Sequence, residues 1–288
     1  MRIYKILNNN VIITKDEHEI EHVIMGKGIG FKKSAGETLD ITKADKIFHL
    51  EDAGLQQHFN SLSNEVPYPI LKVTEEFIDI AKKKLKQKLN ESLHVSLVDH
   101  IFHALKRHQN GQAITNSLIW EINRLYPNEF ELAKDLLDML EQETKVRLPD
   151  DEAGFIAMHL INAEMNEEMN TTVAITKEVS AILKIVKYHL GIEYDEESLN
   201  FYRFLTHLKF FVQRITNGTL LDSEDHDLYL LMKKKYPLAY DCANKIAEYV
   251  YTTFHLDLTS EEMLYLVIHL KRLYTREKHF QKRIDFHF

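Results

Sequence analysis

The spacing of apolar positions changes character near residue 50. Before it, apolar residues fall in short runs rich in β-branched and aromatic types, at 3–7 and 11–14, separated by Asn8-Asn9-Asn10. Asn tolerates positive φ, so the triplet predicts a turn between two strands. Asp16-Glu17-His18 predicts a second turn, leading into a strand over 19–25. Gly26-Lys27-Gly28-Ile29-Gly30-Phe31 reads as a loop or bulge, and Ile47-Phe48 as a last strand. So small a sheet buries little core, and the expectation is that it dimerises.

After Pro69 the period is helical. Phe77, Ile78, Ala81, Leu85 and Leu89 recur at helical spacing, as do Leu97, Ile101, Ala104 and Leu105. Five of the nine glycines lie in the first 54 residues, which contain no proline. Pro67 and Pro69 follow a polar stretch at 60–65, a predicted domain boundary. The helical part also repeats. Tyr126-Pro127 recurs as Tyr236-Pro237, and the same offset of 110 pairs Ala133 with Ala243, Leu148 with Leu258, Glu152 with Glu262 and His159-Leu160 with His269-Leu270. Upstream, Asp99-His100-Ile101 corresponds to Thr206-His207-Leu208 at an offset of 107. The predicted fold is mainly α. A small antiparallel β-sheet domain over 1–60 precedes two homologous all-α helical bundles over 66–170 and 171–276, with a polar, acidic linker at 162–172 and a tail at 277–288.

Charge narrows the function classes. The chain has 36 Lys and Arg against 44 Asp and Glu, a net charge of −8, which argues against polyanion binding by the whole surface. Residues 1–50 hold eight basic and seven acidic side chains, so a nucleic-acid contact there must rest on particular residues. No apolar run is long enough to insert in a membrane, and the N-terminus has no secretory apolar region. The single cysteine, Cys242, can form no internal disulfide. The expected location is cytoplasmic.

Four histidines occupy repeat-equivalent positions: His100 and His159, then His207 and His269. Helical-wheel positions put His100 and His207 at the margins of apolar stripes, and His159 and His269 in segments apolar all round. Hydrogen-bonded core histidines are one reading. Metal ligation is a weaker one, because the His100/His103 pair has no second-copy match, Phe210 standing at the equivalent of His103. A third chemistry is phosphoryl acceptance: neutral imidazole is nucleophilic near pH 7, and the modification creates a large local charge.

At this point a family resemblance appears. Ile6-Leu7-Asn8-Asn9-Asn10-Val11, followed by Met25-Gly26-Lys27-Gly28-Ile29-Gly30-Phe31, resembles the RNA-binding domain of beta-glucoside-type transcriptional antiterminators. Ser96-Leu97-Val98-Asp99-His100, Leu125-Tyr126-Pro127, the 151–159 segment ending in Met158-His159, and Thr206-His207-Leu208-Lys209-Phe210 resemble that family's two phosphotransferase-system regulation domains. The resemblance spans about residues 1–276. It implies a dimeric β domain that binds a leader mRNA hairpin overlapping a terminator, in an operon for sugar, beta-glucoside, utilisation. It implies no enzyme, cofactor or metal. It also implies phosphorylation of the first regulation domain by the sugar permease, switching the protein off, and of the second by the carrier protein HPr, switching it on. The implied RNA contacts are Lys5, Asn8, Asn10, Gly26, Lys27 and Phe31, with Lys27 standing where relatives often carry arginine. The implied phosphorylation sites are His100, His159, His207 and His269, with Asp99 placed to orient His100 or repel its phosphorylated form. Two alternatives stay open: a phosphotransferase-regulated factor acting on DNA or a protein partner, and a helical metallohydrolase.

Overall fold

Four strands form an antiparallel meander in chain order: β1 (Arg2–Ile6), β2 (Val11–Lys15), β3 (Glu21–Met25) and β4 (Lys46–Phe48). The first turn is closed by a side chain. Asn8 Oδ1 accepts from the backbone N–H groups of Asn10 at 2.7 Å and Val11 at 2.9 Å, so no positive φ is needed there. In the second turn Asp16 Oδ1 accepts from His18 and Ile20, and Glu19 takes the left-handed conformation at φ 62°. That turn delays β3 to Glu21, two residues later than the sequence pattern suggests. One face of the sheet buries Ile3, Ile12 and Ile24 with Ile29 and Leu39. On the other face the register aligns Ile13 with Val23 and Val23 with Phe48.

The computed structural model describes residues 1–49, 52–166, 169–196, 198–221 and 226–285, and divides into two units, Met1–Met169 and Asn170–Phe288. In the first unit the polar stretch at 60–65, the predicted boundary, is helical. It is the second half of helix α1 (Ala53–Glu65), which Asp52 caps by accepting from Leu55 N–H at 2.8 Å. Phe59, Leu62, Ser63 and Val66 form its buried stripe, while Ser61, Asn64 and Glu65 face solvent. Phe59 meets Phe48 edge to face, with ring centroids 5.2 Å apart, so α1 packs on the sheet.

The helical domain of this unit comprises α2 (Tyr68–Leu85), α3 (Ser92–Gln109), α4 (Ile119–Leu125), α5 (Pro127–Thr144) and α6 (Asp151–Met165). Lys86 takes φ 55° and ends α2, so Leu89, although buried, lies beyond the helix. The second unit holds α7 (from Met169 to Leu190), α8 (Leu199–Asn217), α9 (His226–Lys235), α10 (Pro237–Phe254) and α11 (Ser260–Asp285). Helix thus occupies most of the expected 162–172 linker: α6 runs to Met165, Asn166 caps it in the left-handed conformation, and α7 starts at Met169.

The repeat has a backbone signature. Tyr126 and Tyr236 cap α5 and α10 with nearly the same dihedrals, −137°/57° and −129°/63°, each before a proline in the first turn. Both helices then end in a left-handed residue, Lys145 at φ 60° and His255 at φ 56°. Among the described residues no helix is long and apolar enough to cross a membrane.

Candidate histidine sites and nucleic-acid interface

Two loops at one end of the sheet carry the RNA-contact candidates except Lys5, which lies on β1, and the backbone joins the loops into one body. Gly26 N–H donates to the Asn10 carbonyl at 3.0 Å, Gly30 N–H to the Asn9 carbonyl at 2.9 Å, and Gly28 N–H to Asn10 Oδ1 at 2.8 Å. Phe31 projects from this body, 56% exposed, with Lys32 Nζ 5.4 Å from its ring centroid. Lys5 and Lys27 are exposed. An exposed aromatic face flanked by cations suits base stacking and phosphate contact.

Asn8 and Gly26 stand in different settings. The Asn8 side chain closes its own turn through Oδ1, while Nδ2 donates to the Ser63 carbonyl of α1. Gly26 is buried, and a Cβ there would lie 2.6 Å from the Lys43 carbonyl oxygen, so internal packing already demands glycine. The Lys27 loop is likewise tied back. Asp45 accepts from Lys27 N–H at 3.3 Å and from the Tyr68 hydroxyl at the start of α2.

The histidines meet in pairs, each between the same two helices of its domain. In the first, His100 on α3 and His159 on α6 have ring centroids 5.0 Å apart. His100 Nε2 lies 2.9 Å from Glu152 Oε2, within ion-pair range, although neither atom makes an aligned hydrogen bond. Glu152 Oε1 accepts from Arg107 at 3.1 Å. Burial would raise the Glu152 pKa, but His100 and Arg107 outweigh it and hold the carboxyl below its ordinary range. Burial, and then the neighbouring His100, push His159 down to about 3, so it is neutral at pH 7. Asp99 pairs with His103 at 3.4 Å, so the carboxylate beside His100 is that of Glu152. Leu55 and His58 of α1 are among the residues that line the groove at this site, with Arg107 and His103.

In the second domain His207 on α8 and His269 on α11 lie closer, with centroids 3.8 Å apart and planes tilted by 31°. Burial, then His207, then Arg272 push His269 down to about 4; burial and Arg272 also lower His207. Both rings are neutral at pH 7 and line a cavity of about 400 Å³ whose wall includes Asn200, Arg203, Lys271 and Arg272. Glu262, fully buried, accepts from Arg214 Nε and Nη2 at 2.7 Å each and from Leu221 N–H at 2.9 Å. Tyr265 packs against both histidine rings, its hydroxyl 3.0 Å from His207 Nδ1.

Two elements of these sites escaped the sequence reading although the repeat contains them. Arg107 and Arg214 share the offset of 107 seen for His100 and His207, and Phe155 and Tyr265 share the offset of 110. In each domain seven residues separate the arginine from the first histidine and the glutamate from the second. That is about two helical turns, so all four side chains share one helix–helix face. Among the described residues no group of three or more His, Cys, Asp or Glu could hold a metal ion.

Comparison with known proteins places this geometry. Residues 1–57 match the CAT RNA binding domain, and residues 75–163 and 180–273 each match the PRD domain. The chain is similar to the transcription antiterminator LicT of Bacillus subtilis (strain 168), 47% identical over 95% of this chain and 99% of that protein. It is 43% identical to a beta-glucoside operon antiterminator of Dickeya chrysanthemi over 95% and 96% of the two chains. Protein GlcT of Staphylococcus aureus (strain MRSA252) is 30% identical over 98% of each. The crystal structure of GlcT CAT-PRDI superposes with a TM-score of 0.52 at 35% identity, covering 57% of this chain and 98% of that one.

Proposed function

The chain belongs to the family of transcription antiterminators that join a CAT RNA binding domain to two PRD domains, and from that premise we propose that its four paired histidines accept phosphoryl groups that set its activity. It is an RNA-binding antiterminator. We assign it, as a homodimer, to a leader mRNA hairpin of a sugar operon of the beta-glucoside class, with HPr and a sugar-specific permease as phosphoryl donors. Lys5, Asn10, Lys27 and Phe31 would touch the RNA; Asn8 and Gly26 would shape the loops that carry them.

The difference between the two histidine walls carries this reading. A phosphoryl group brings about −1.5 to −2 charge. On His100 it would stand beside the Glu152 carboxylate, which is costly. On His207 or His269 it would enter a cavity walled by Arg203, Lys271 and Arg272, where it can be paired. This difference supports opposite signs of control in the two domains. The test treats the full chain with phosphoenolpyruvate, the relay proteins and the permease, and maps acid-labile phosphate by mass spectrometry. In a reporter strain, His207→Asp with His269→Asp should raise antitermination, and His100→Asp or His159→Asp should lower it. Label mainly on His103, His189 or His255 would remove the assignment; equal effects of both pairs would remove the opposed signs.

A further inference from the structure

Tyr265 has one hydroxyl proton, and two contacts decide where it goes. Oη lies 2.9 Å from the His207 backbone carbonyl, which can only accept, so the hydroxyl donates there. Oη also lies 3.0 Å from His207 Nδ1. With its proton committed, the hydroxyl can only accept from that nitrogen. His207 therefore carries its hydrogen on Nδ1 and its lone pair on Nε2. Burial raises the Tyr265 pKa, which keeps the phenol protonated at neutral pH.

We propose that Tyr265 is a positioning residue for phosphoryl transfer, selecting Nε2 of His207 as the atom that takes the phosphoryl group; this rests on the phosphorylation reading above. The donor is a protein phosphohistidine. The Nε2 lone pair attacks phosphorus, the donor's P–N bond breaks, and its electron pair returns to the donor nitrogen, which takes a proton from solvent. His207 keeps its Nδ1 hydrogen on the Tyr265 oxygen, which also holds the cationic ring so formed. The first domain provides a built-in comparison. Phe155 stands at the Tyr265 equivalent and has no hydroxyl, and the His100 nitrogen with a polar neighbour is Nε2, facing Glu152.

Long-range ¹H–¹⁵N spectra of the full chain with labelled histidine should show His207 as the Nδ1–H tautomer. After phosphorylation by HPr, ³¹P–¹⁵N coupling should place the phosphorus on Nε2. In Tyr265→Phe the tautomers should mix, and transfer to His207 should slow by roughly 2- to 12-fold, the worth of one neutral hydrogen bond. Phosphorus on Nδ1, or a folded Tyr265→Phe with tautomer and rate unchanged, overturns the proposal while leaving phosphorylation intact. No phosphate on His207 at all overturns the phosphorylation reading and this proposal with it. Should Tyr265→Phe fail to fold, the wild-type tautomer and phosphate isomer decide alone.

Discussion

Replacing Glu262 with Ala should be among the most destabilising single changes in the second unit. The carboxylate is fully buried and accepts three hydrogen bonds, two from Arg214 and one from Leu221 N–H. Its loss leaves a guanidinium only 19% exposed without its carboxylate. Breaking a buried pair from one side costs ~3–5 kcal/mol, and the residual exposure of Arg214 favours the lower end, about 3 kcal/mol. At ~4–8 °C per kcal/mol for a domain of this size, the melting transition of the unit should fall by ~12–24 °C. Scanning calorimetry of the full chain reads that shift. The comparison that isolates the clamp is Arg214→Ala alone and together with Glu262→Ala. The double variant should cost less than the sum of the singles by ~1 kcal/mol or more, because each single already abolishes the pair. Additivity within ~0.5 kcal/mol would refute the clamp. Glu152→Ala should cost less, since its Arg107 bond is single, longer at 3.1 Å, and made to a more exposed arginine.

Phe31→Ala or Asn10→Ala should weaken binding of the leader hairpin by ~1–3 kcal/mol per lost stacked base or amide pair, and a gel shift with unchanged affinity would exclude that residue. Asn8→Ser keeps an oxygen that can close the turn but cannot reach Ser63, so hydrogen exchange at the Asn10 and Val11 amides of the full chain should speed up; unchanged exchange would show that α1 does not hold the turn. Folding depresses His159 to about 3 and His269 to about 4, below the ordinary value of 6.5. The unfolded chain therefore binds more protons below pH 6.5, and stability should fall from there towards pH 3–4. His159→Asn should flatten that fall in acid titrations followed by circular dichroism.

The strands and the helical duplication were readable because each leaves a local mark: short β-branched runs, an Asn turn, and a Tyr-Pro step that starts a helix. Helix α1 left a faint mark. Only Phe59, Leu62 and Val66 trace its buried stripe, and the solvent-facing Ser61, Asn64 and Glu65 have the composition of a linker. Gly26 shows another limit. The resemblance implied an RNA contact there, and nothing local showed that the Lys43 carbonyl packs against it. Asn8 likewise advertised a turn, which it makes; its bond to Ser63, 55 residues away, depends on how α1 packs and has no local signature. The Arg–Glu clamps were visible as offsets, yet offsets alone could not say that these residues touch.

On the phosphorylation reading proposed above, the duplicated frame would let the two sites respond differently to one modification. Each is built on an arginine and a glutamate seven residues from the histidines, which tie the two histidine-bearing helices together. What differs is the wall. In the first domain it includes Leu55 and His58 of α1, and α1 also holds Asn8 through Ser63 and Glu21 through Gln56. A dianion there would stand against Leu55, which offers no partner, while the nearby Arg107 is already engaged by Glu152. On the proposed reading, accommodating it would disturb the helix that supports the RNA-facing turn. In the second domain the wall is cationic and offers partners at once, so the same group is drawn in. On that reading, the sign of each response would be set by residues outside the repeated frame.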